Sequence, residues 1–283
     1  GRTLALGGRT LVMGIVNVTA DSFSDGGLFL DAKDGVARGL AMLDEGADLV
    51  DVGGESTRPS ATALTAEEEQ TRVMPVLRGI LAARPDAILS IDTYHAETAK
   101  AAVEAGAEIV NDVSGHLWDS QMPGTCATLG CGVVLMHTRG RPAEWKTQRR
   151  LATEEVTPLV VRELGERVSV AVAAGIGREA IMVDPGFGFG KILEENFALL
   201  AGMDTLRGLG FPMLAGVSRK SFLRRSVDAE ERGGERPAEM EAWATIAANT
   251  AAVLAGAHVL RVHEVGPARA AAAVADRVLE ARF

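Results

Sequence analysis

The chain has 283 residues, of which 47% are hydrophobic and 24% charged, the balance of a folded globular protein rather than of a disordered chain, a collagen or a coiled coil. Lys and Arg number 29 against 38 Asp and Glu, so the formal charge is 29 − 38 = −9. A surface of that sign repels phosphate backbones and argues against general nucleic-acid binding, but it leaves room for a small basic pocket holding one anion.

Aromatics make up only 4% of the chain, so the core has to be built from Ala, Val, Leu and Ile. In chain order, short apolar and β-branched runs occur at residues 11–16, 49–52, 88–91, 109–110, 133–136, 181–183, 213–217 and 259–262. Their hydrophobicity is nearly continuous, as expected of parallel strands covered on both faces. Between them lie helical patterns. Thr65 and Glu68 form a capping box that opens a helix over 66–83. Val156, Val160, Leu164, Val168 and Val172 make one amphipathic stripe. Gly46-Ala47-Asp48, Gly106-Ala107-Glu108 and Gly256-Ala257-His258 each end a helix just before a strand, where glycine accepts the left-handed turn back into the sheet. Eight strands over this length leave about 35 residues per unit, the size of a βα unit in a (β/α)8 barrel; a doubly wound open sheet is the alternative.

No linker divides residues 1–283, so one domain is expected. The polar stretch 226–241 reads as a solvated excursion between strand seven and helix seven. Residues 242–260 carry no formal charge, yet they are alanine-rich and contain Thr245, Asn249, Thr250 and His258. They read as a buried helix followed by a strand rather than a membrane span. Cys126 and Cys131 have no second pair or His cluster to complete a zinc site and are expected to be reduced structural thiols. No apolar leader opens the numbered chain, so the expected location is the cytoplasm.

Nearly every strand ends on a polar side chain: Asn17, Glu55 after a Gly pair, Asp92, Asn111-Asp112, His137, Asp184, Ser218-Arg219-Lys220, and Arg261 with His263. In a barrel these are the positions where chemistry collects. Ser218-Arg219-Lys220-Ser221 opens an apolar helical run, and a helix start with added cations favours an anion. Arg261 and His263, two apart on strand eight, project the same way. Together with Asn17 they suggest a phosphate or carboxylate site at the seam of strands eight and one. Asp92, Asn111 and Asp184 are placed to read a planar polar heterocycle, because one carboxylate accepts two parallel donors and an Asn offers one of each. Pairing of the two Asp with Lys220 and Arg261, or a metal held between them, are the alternatives. Gly186-Phe187-Gly188-Phe189-Gly190-Lys191 imitates a phosphate loop without its spacing; it reads as a glycine turn that lays Phe187 or Phe189 beside a ligand ring. Residues 17–30 and 53–65 read as mobile lids over the mouth.

These motifs, MGIVNVTADSFSDGG (13–27), DVGGESTRP (51–59), SIDTYHAETAKAAVEAGAEIVNDVSG (90–115), MHTRG (136–140), DPGFGFGK (184–191), GVSRKSF (216–222) and RVHEV (261–265), run in order over nearly the whole chain. In them the sequence resembles dihydropteroate synthase, the pterin-binding TIM-barrel family of the folate pathway that sulfonamides target. The resemblance implies a transferase that joins 6-hydroxymethyl-7,8-dihydropterin diphosphate to 4-aminobenzoate by a dissociative substitution with Mg²⁺. It implies pterin contacts at Asp92, Asn111, Met136, Asp184, Lys220 and Arg261. Phe189 is implied both as a pterin contact and, with Phe23, Thr57, Arg58, Pro59 and Ser221, as part of the aminobenzoate pocket. Asn17, Arg261 and His263 would hold the diphosphate, with Asn17 and Asp25 on the metal. Asp92, Lys220, Arg261 and His263 would carry the catalysis.

The family also implies a cytoplasmic homodimer formed through barrel helices, to which residues 242–255 could contribute. The chain departs from the family at Ala20, where proline is usual, which frees φ in the first lid. Three other readings stay open. One is a methyltetrahydrofolate methyltransferase, which would need no diphosphate site. A second is a pterin-binding homologue without activity. The third is a Schiff-base aldolase using Lys220, although that lysine sits in a polar turn with no evident cause for a lowered pKa.

Overall fold

The computed structural model describes residues 2–18, 32–55, 63–228 and 239–281. Ala20, Phe23, Asp25, Thr57, Arg58 and Pro59, with most of both long loops, lie outside them. Eight strands are present: β1 (Leu11–Asn17), β2 (Leu49–Gly53), β3 (Leu89–Asp92), β4 (Ile109–Asp112), β5 (Gly132–Met136), β6 (Ile181–Asp184), β7 (Leu214–Ala215) and β8 (Val259–Val262). They pair in parallel in the order β6-β5-β4-β3-β2-β1-β8-β7. A parallel bridge between Val183 and Met213 joins β6 to β7 and completes the barrel. Helices alternate with the strands: α1 (Ala32–Asp44), α2 (Ala66–Ala83), α3 (Ala96–Glu104), α4 (Met122–Leu129), α5 (Thr153–Ala173), α6 (Leu193–Ala201), α7 (Ser221–Asp228), α8 (Glu239–Leu254) and α9 (Val265–Glu280).

The expected starts and stops are where the local chemistry puts them. Thr65 Oγ1 accepts the Glu68 N–H while the Glu68 carboxylate accepts from the Thr65 N–H at 2.8 Å, so the capping box opens α2. Gly46, Gly106 and Gly256 turn at φ +96°, +114° and +107°, where a Cβ would be strained. Cys126 and Cys131 are free and buried.

Four expectations need correction. Strand seven is shorter than 213–217, because the Met213 N–H donates to the His258 ring at 3.2 Å rather than to the ladder, and beyond Ala215 the chain turns toward Lys220, whose N–H donates to Val217 O at 3.2 Å. Val172 is 38% exposed: a four-residue repeat overshoots the 3.6-residue turn by about 40° per step, so Ala171 takes its place on the buried face of α5. The stretch 226–241 is not one excursion after strand seven; its ends belong to α7 and α8, and the rest lies outside the described residues. Helix α8 buries only one face, through Thr245, Ala248, Asn249, Ala252 and Val253, and leaves Trp243 56% exposed. No helix among the described residues is long and apolar enough to cross a membrane.

Two apolar layers hold the barrel. The larger lies between strands and helices and includes Val12, Val16, Val50, Val52, Ile91 and Val110. The smaller plugs the barrel interior with Leu11, Met13, Leu49, Val134, Leu214 and Val259, backed by Ile109 and Met182 and by Leu4 and Leu6 from the preceding segment. Side chains on a strand alternate, so residues two positions further on share the inner face. Above Leu49 comes Asp51, above Ile109 Asn111, above Val134 Met136, above Met182 Asp184, above Leu214 Gly216 and above Val259 Arg261. The plug is the floor and this mixed, largely polar layer stands on it. Replacing Leu49, 1% exposed, by Ala should therefore lower the unfolding free energy by about 2–5 kcal/mol without changing the m-value, as read from urea unfolding.

Candidate active site at the mouth of the barrel

Arg261 from β8 reaches across the barrel interior. Its Nε donates to Asp51 Oδ2 at 2.7 Å and its Nη2 to Asp92 Oδ2 at 2.5 Å. Asp51 Oδ2 also accepts from Asn111 Nδ2 at 2.9 Å. One guanidinium therefore links β8 to β2 and β3, and Asn111 ties β4 to the same Asp51 oxygen. Asp51 is fully buried, and its Oδ1 has no hydrogen-bond partner. Burial and the neighbouring Asp51 carboxylate push the Asp92 pKa up, while Arg261 and Lys220 pull it down. The pairing of Asp92 with Arg261, one of the alternatives read from the sequence, is thus part of the site.

Asn111, Met136, Asp184, Phe189, Lys220 and Arg261 line one slot together with Val113, Phe187 and Gly216. Of the expected pterin contacts only Asp92 is missing from that lining, and it joins the others through Arg261. Asp184 Oδ1 accepts the Gly186 N–H at 2.7 Å; burial raises its pKa against that bond and against Lys220, Arg261 and Lys191. Lys220 Nζ stands 4.1 Å over the Phe189 ring, a cation–π contact. Contrary to the sequence reading, the Lys220 pKa is lowered, to about 8, by burial first and Arg261 second. The two phenylalanines of the glycine turn divide. Phe187 is 1% exposed and stacks on Phe222 at 6.2 Å, whereas Phe189 forms the slot wall and meets Trp145 edge-on at 5.2 Å.

His263 lies beside this layer rather than within it. Its N–H donates to Ser218 Oγ at 3.2 Å, and Ser218 Oγ lies 3.0 Å from His263 Nδ1. Burial, then Arg261, Arg219, Lys220 and Arg38, push His263 down to about 3. Arg38 from α1 donates to the His263 carbonyl at 2.5 Å. Arg219 holds φ +54° and donates from its N–H to Thr245 Oγ1 at 3.2 Å. Ser221 is the first residue of α7, and Asn17 is exposed at the end of β1 in register with Gly53.

Sequence reasoning missed four participants. Asp51 is a charge inside the apolar run 49–52, and its share of the Leu49 face could have been counted. Arg38 and Glu69 lie on helices with no local mark. Glu69, 1% exposed, accepts from Thr93 Oγ1 at 2.7 Å, and burial pushes it up to about 7. Lys191 was visible in the glycine motif, but nothing in the motif says that its amine turns inward.

Two measurements follow from this geometry. Asp51→Ala leaves Arg261 and Asn111 donors facing an apolar gap and should cost about 3 kcal/mol in urea unfolding, the scale of a broken buried ion pair. His116 and His137 are each pushed down to about 4 and His263 to about 3, burial being the first cause in every case. All three rings should stay neutral from pH 8 to pH 5, giving imidazole NMR signals that do not shift. The unfolded chain takes up these protons below about 6.5, so their share of stability is present at neutral pH and lost as pH falls from 6.5 toward 4. Glu69, with a folded-state pKa raised to about 7, contributes with the opposite slope between about 4 and 7.

Comparison with known proteins places this arrangement. A family model described as pterin binding enzyme matches residues 13–263. Dihydropteroate synthase of Streptococcus pyogenes serotype M6 is 42% identical over 258 residues, 91% of each chain. A structure of Xanthomonas albilineans dihydropteroate synthase with 4-aminobenzoic acid superposes with a TM-score of 0.85 at 42% identity, covering 96% of this chain and 94% of that one. A Yersinia pestis dihydropteroate synthase with a sulfonamide drug superposes at 0.87 and 34% identity, covering 99% and 100%. With eight parallel βα units, the polar slot at their mouth and relatives of this identity and coverage, the chain belongs to the dihydropteroate synthase family of pterin-binding enzymes.

Proposed function

We propose that the chain joins 6-hydroxymethyl-7,8-dihydropterin diphosphate to 4-aminobenzoate, giving 7,8-dihydropteroate and diphosphate, with residues 1–283 acting as one barrel domain. The observation that carries the reading is the shared slot: Asn111, Asp184, Lys220 and Arg261 converge on the space walled by Met136 and Phe189. The Asp184 carboxylate suits the paired N–H donors of a pterin ring, and Asn111 and Lys220 suit the ring's acceptors. Arg261 spends Nε and Nη2 on the two carboxylates, and its Nη1 edge remains available for a ligand. The His263 ring faces the diphosphate, and Arg38, Arg219, Lys220 and Arg261 supply the positive field around it. A methyltransferase of the same fold would have no need of that field.

The bond from the exocyclic methylene to oxygen breaks with its electron pair leaving on diphosphate, and a cation remains, delocalised into the dihydropterin. Asp92 and Asp51, two carboxylates sharing one guanidinium, stabilise that charge without reorganising. The neutral aryl amine then attacks the methylene, forms the carbon–nitrogen bond and loses a proton to solvent. Its carboxylate fits the start of α7 at Ser221, where backbone N–H groups face outward. Phe23, Thr57, Arg58 and Pro59 are proposed for the rest of that pocket by family resemblance.

Among the described residues no group of three or more His, Cys, Asp or Glu could hold a metal. Mg²⁺ binds through one or two protein oxygens and otherwise through substrate phosphate and water, and the exposed amide of Asn17 fits that share, with Asp25 as the second proposed ligand. When bound, the ion supplies Lewis-acid stabilisation to the departing diphosphate. We also propose a cytoplasmic homodimer that sulfonamides inhibit. Exposed Trp243 on α8 and Val274 and Val278 on α9 support helices as the contact.

Incubation with the dihydropterin diphosphate, Mg²⁺ and 4-aminobenzoate should release dihydropteroate and diphosphate one to one. No product at millimolar substrates would leave pterin binding without catalysis. Arg261→Ala should weaken the diphosphate-bearing substrate at least tenfold more than free pterin, about 1.4 kcal/mol, by calorimetry.

A further inference from the structure

We propose that Lys191 is a positioning residue for this reaction: its buried ammonium ties the carbonyls of His137, Gly186 and Phe189 together and thereby sets the wall of the pterin slot against Lys220. The inference rests on the pterin reading of the slot. Lys191 is 4% exposed and is not among the residues that line the slot. Its Nζ lies 2.7 Å from Gly186 O, 3.3 Å from His137 O and 3.3 Å from Phe189 O. An ammonium has three N–H donors, and all three are matched.

The backbone is built around that centre. Gly186, Gly188 and Gly190 turn at φ +69°, +81° and +70°. A Cβ on Gly186 would stand 1.9 Å from His137 O, so the β6 loop lies directly against the end of β5. Two carbonyls of the loop and that of His137, the residue after β5, therefore face the same cation. The residues set by this brace are the slot's own: Met136 precedes His137, and Phe189 carries the ring beneath Lys220 Nζ.

A neutral amine has one donor fewer and presents a lone pair to one of the three carbonyls. Burial pushes Lys191 down to about 7, with Arg139 and Lys220 adding to the fall and Asp184 and Glu163 opposing it. His137, whose carbonyl it binds, is held neutral. The brace is therefore complete below about pH 7 and loses a donor above it. Fold stability runs the other way. Lys191 titrates near 10.4 in the unfolded chain, so between about 7 and 10.4 the unfolded state binds more protons and the Lys191 contribution to stability rises with pH. A lysine serving only the fold would show no loss of ligand affinity over that range.

The test is calorimetric titration of 6-hydroxymethyl-7,8-dihydropterin into the wild type, Lys191→Met and Lys220→Arg between pH 6 and 9, with thermal unfolding alongside. The expected wild type binds at least tenfold more weakly at pH 9 than at pH 6. Lys220→Arg, which cannot titrate, should keep part of that fall. Lys191→Met should bind at least tenfold more weakly at pH 6, with the KM for 4-aminobenzoate at saturating pterin within twofold of wild type. A folded Lys191→Met that binds pterin as the wild type does would overturn the proposal. So would a wild-type affinity for the pterin that does not fall between pH 6 and pH 9, a measurement that stands even where Lys191→Met does not fold or Lys220→Arg does not bind. A wild type that binds no pterin at any pH would instead overturn the reading of the slot, and this inference with it.

Discussion

Two carboxylates and one guanidinium share the interior of this barrel, and most of the mouth is arranged by how they do so. Removing charges from water is costly, and it is offset only when geometry and further hydrogen bonds satisfy them. Arg261 meets that condition by spanning to Asp51 and Asp92, and Asn111 completes Asp51. The guanidinium is thereby held by strands on both sides of β1, so its free edge has one direction. Asp92, pushed up by burial and by Asp51 and pulled down by Arg261 and Lys220, is tied to the slot through that guanidinium.

The rest of the site is arranged around that trio. Lys220 is drawn toward Asp92 and Asp184 and rests on Phe189. The cations Arg38 and Arg219 stand outside the carboxylates, around His263. From the floor upward the barrel runs from apolar plug to a carboxylate layer and then to a cationic rim. A chain with a charge of −9 thus gathers Arg38, Arg219, Lys220 and Arg261 around His263, with Arg219 also paired to Glu264.

Much of this was legible in the residues. Strand positions were readable because each apolar run is short and bounded by glycine and polar residues, and Asp92, Asn111 and Asp184 stood out as polar ends to apolar runs. Asp51 was hidden inside a run, where continuous hydrophobicity drew the eye away from the two-residue alternation. The inward turn of Lys191 depends on three left-handed glycines, and a sequence records that glycine permits such a turn, not that it occurs. The lowered pKa of Lys220 comes from burial and from Arg261, a neighbour across the barrel with no mark beside the lysine in the chain. The Val172 position failed for a geometric reason, the slow rotation of a four-residue repeat around a 3.6-residue helix.

The junction of β6 and β7 has a mechanical meaning of its own. Seven of the eight joints around the barrel are ladders, whereas this one is the Val183–Met213 bridge with a bond from Val183 N–H to Pro212 O at 2.9 Å. Asp184 stands on one side of that joint and Lys220 on the other. A ring seated against both would span the hoop at its thinnest seam.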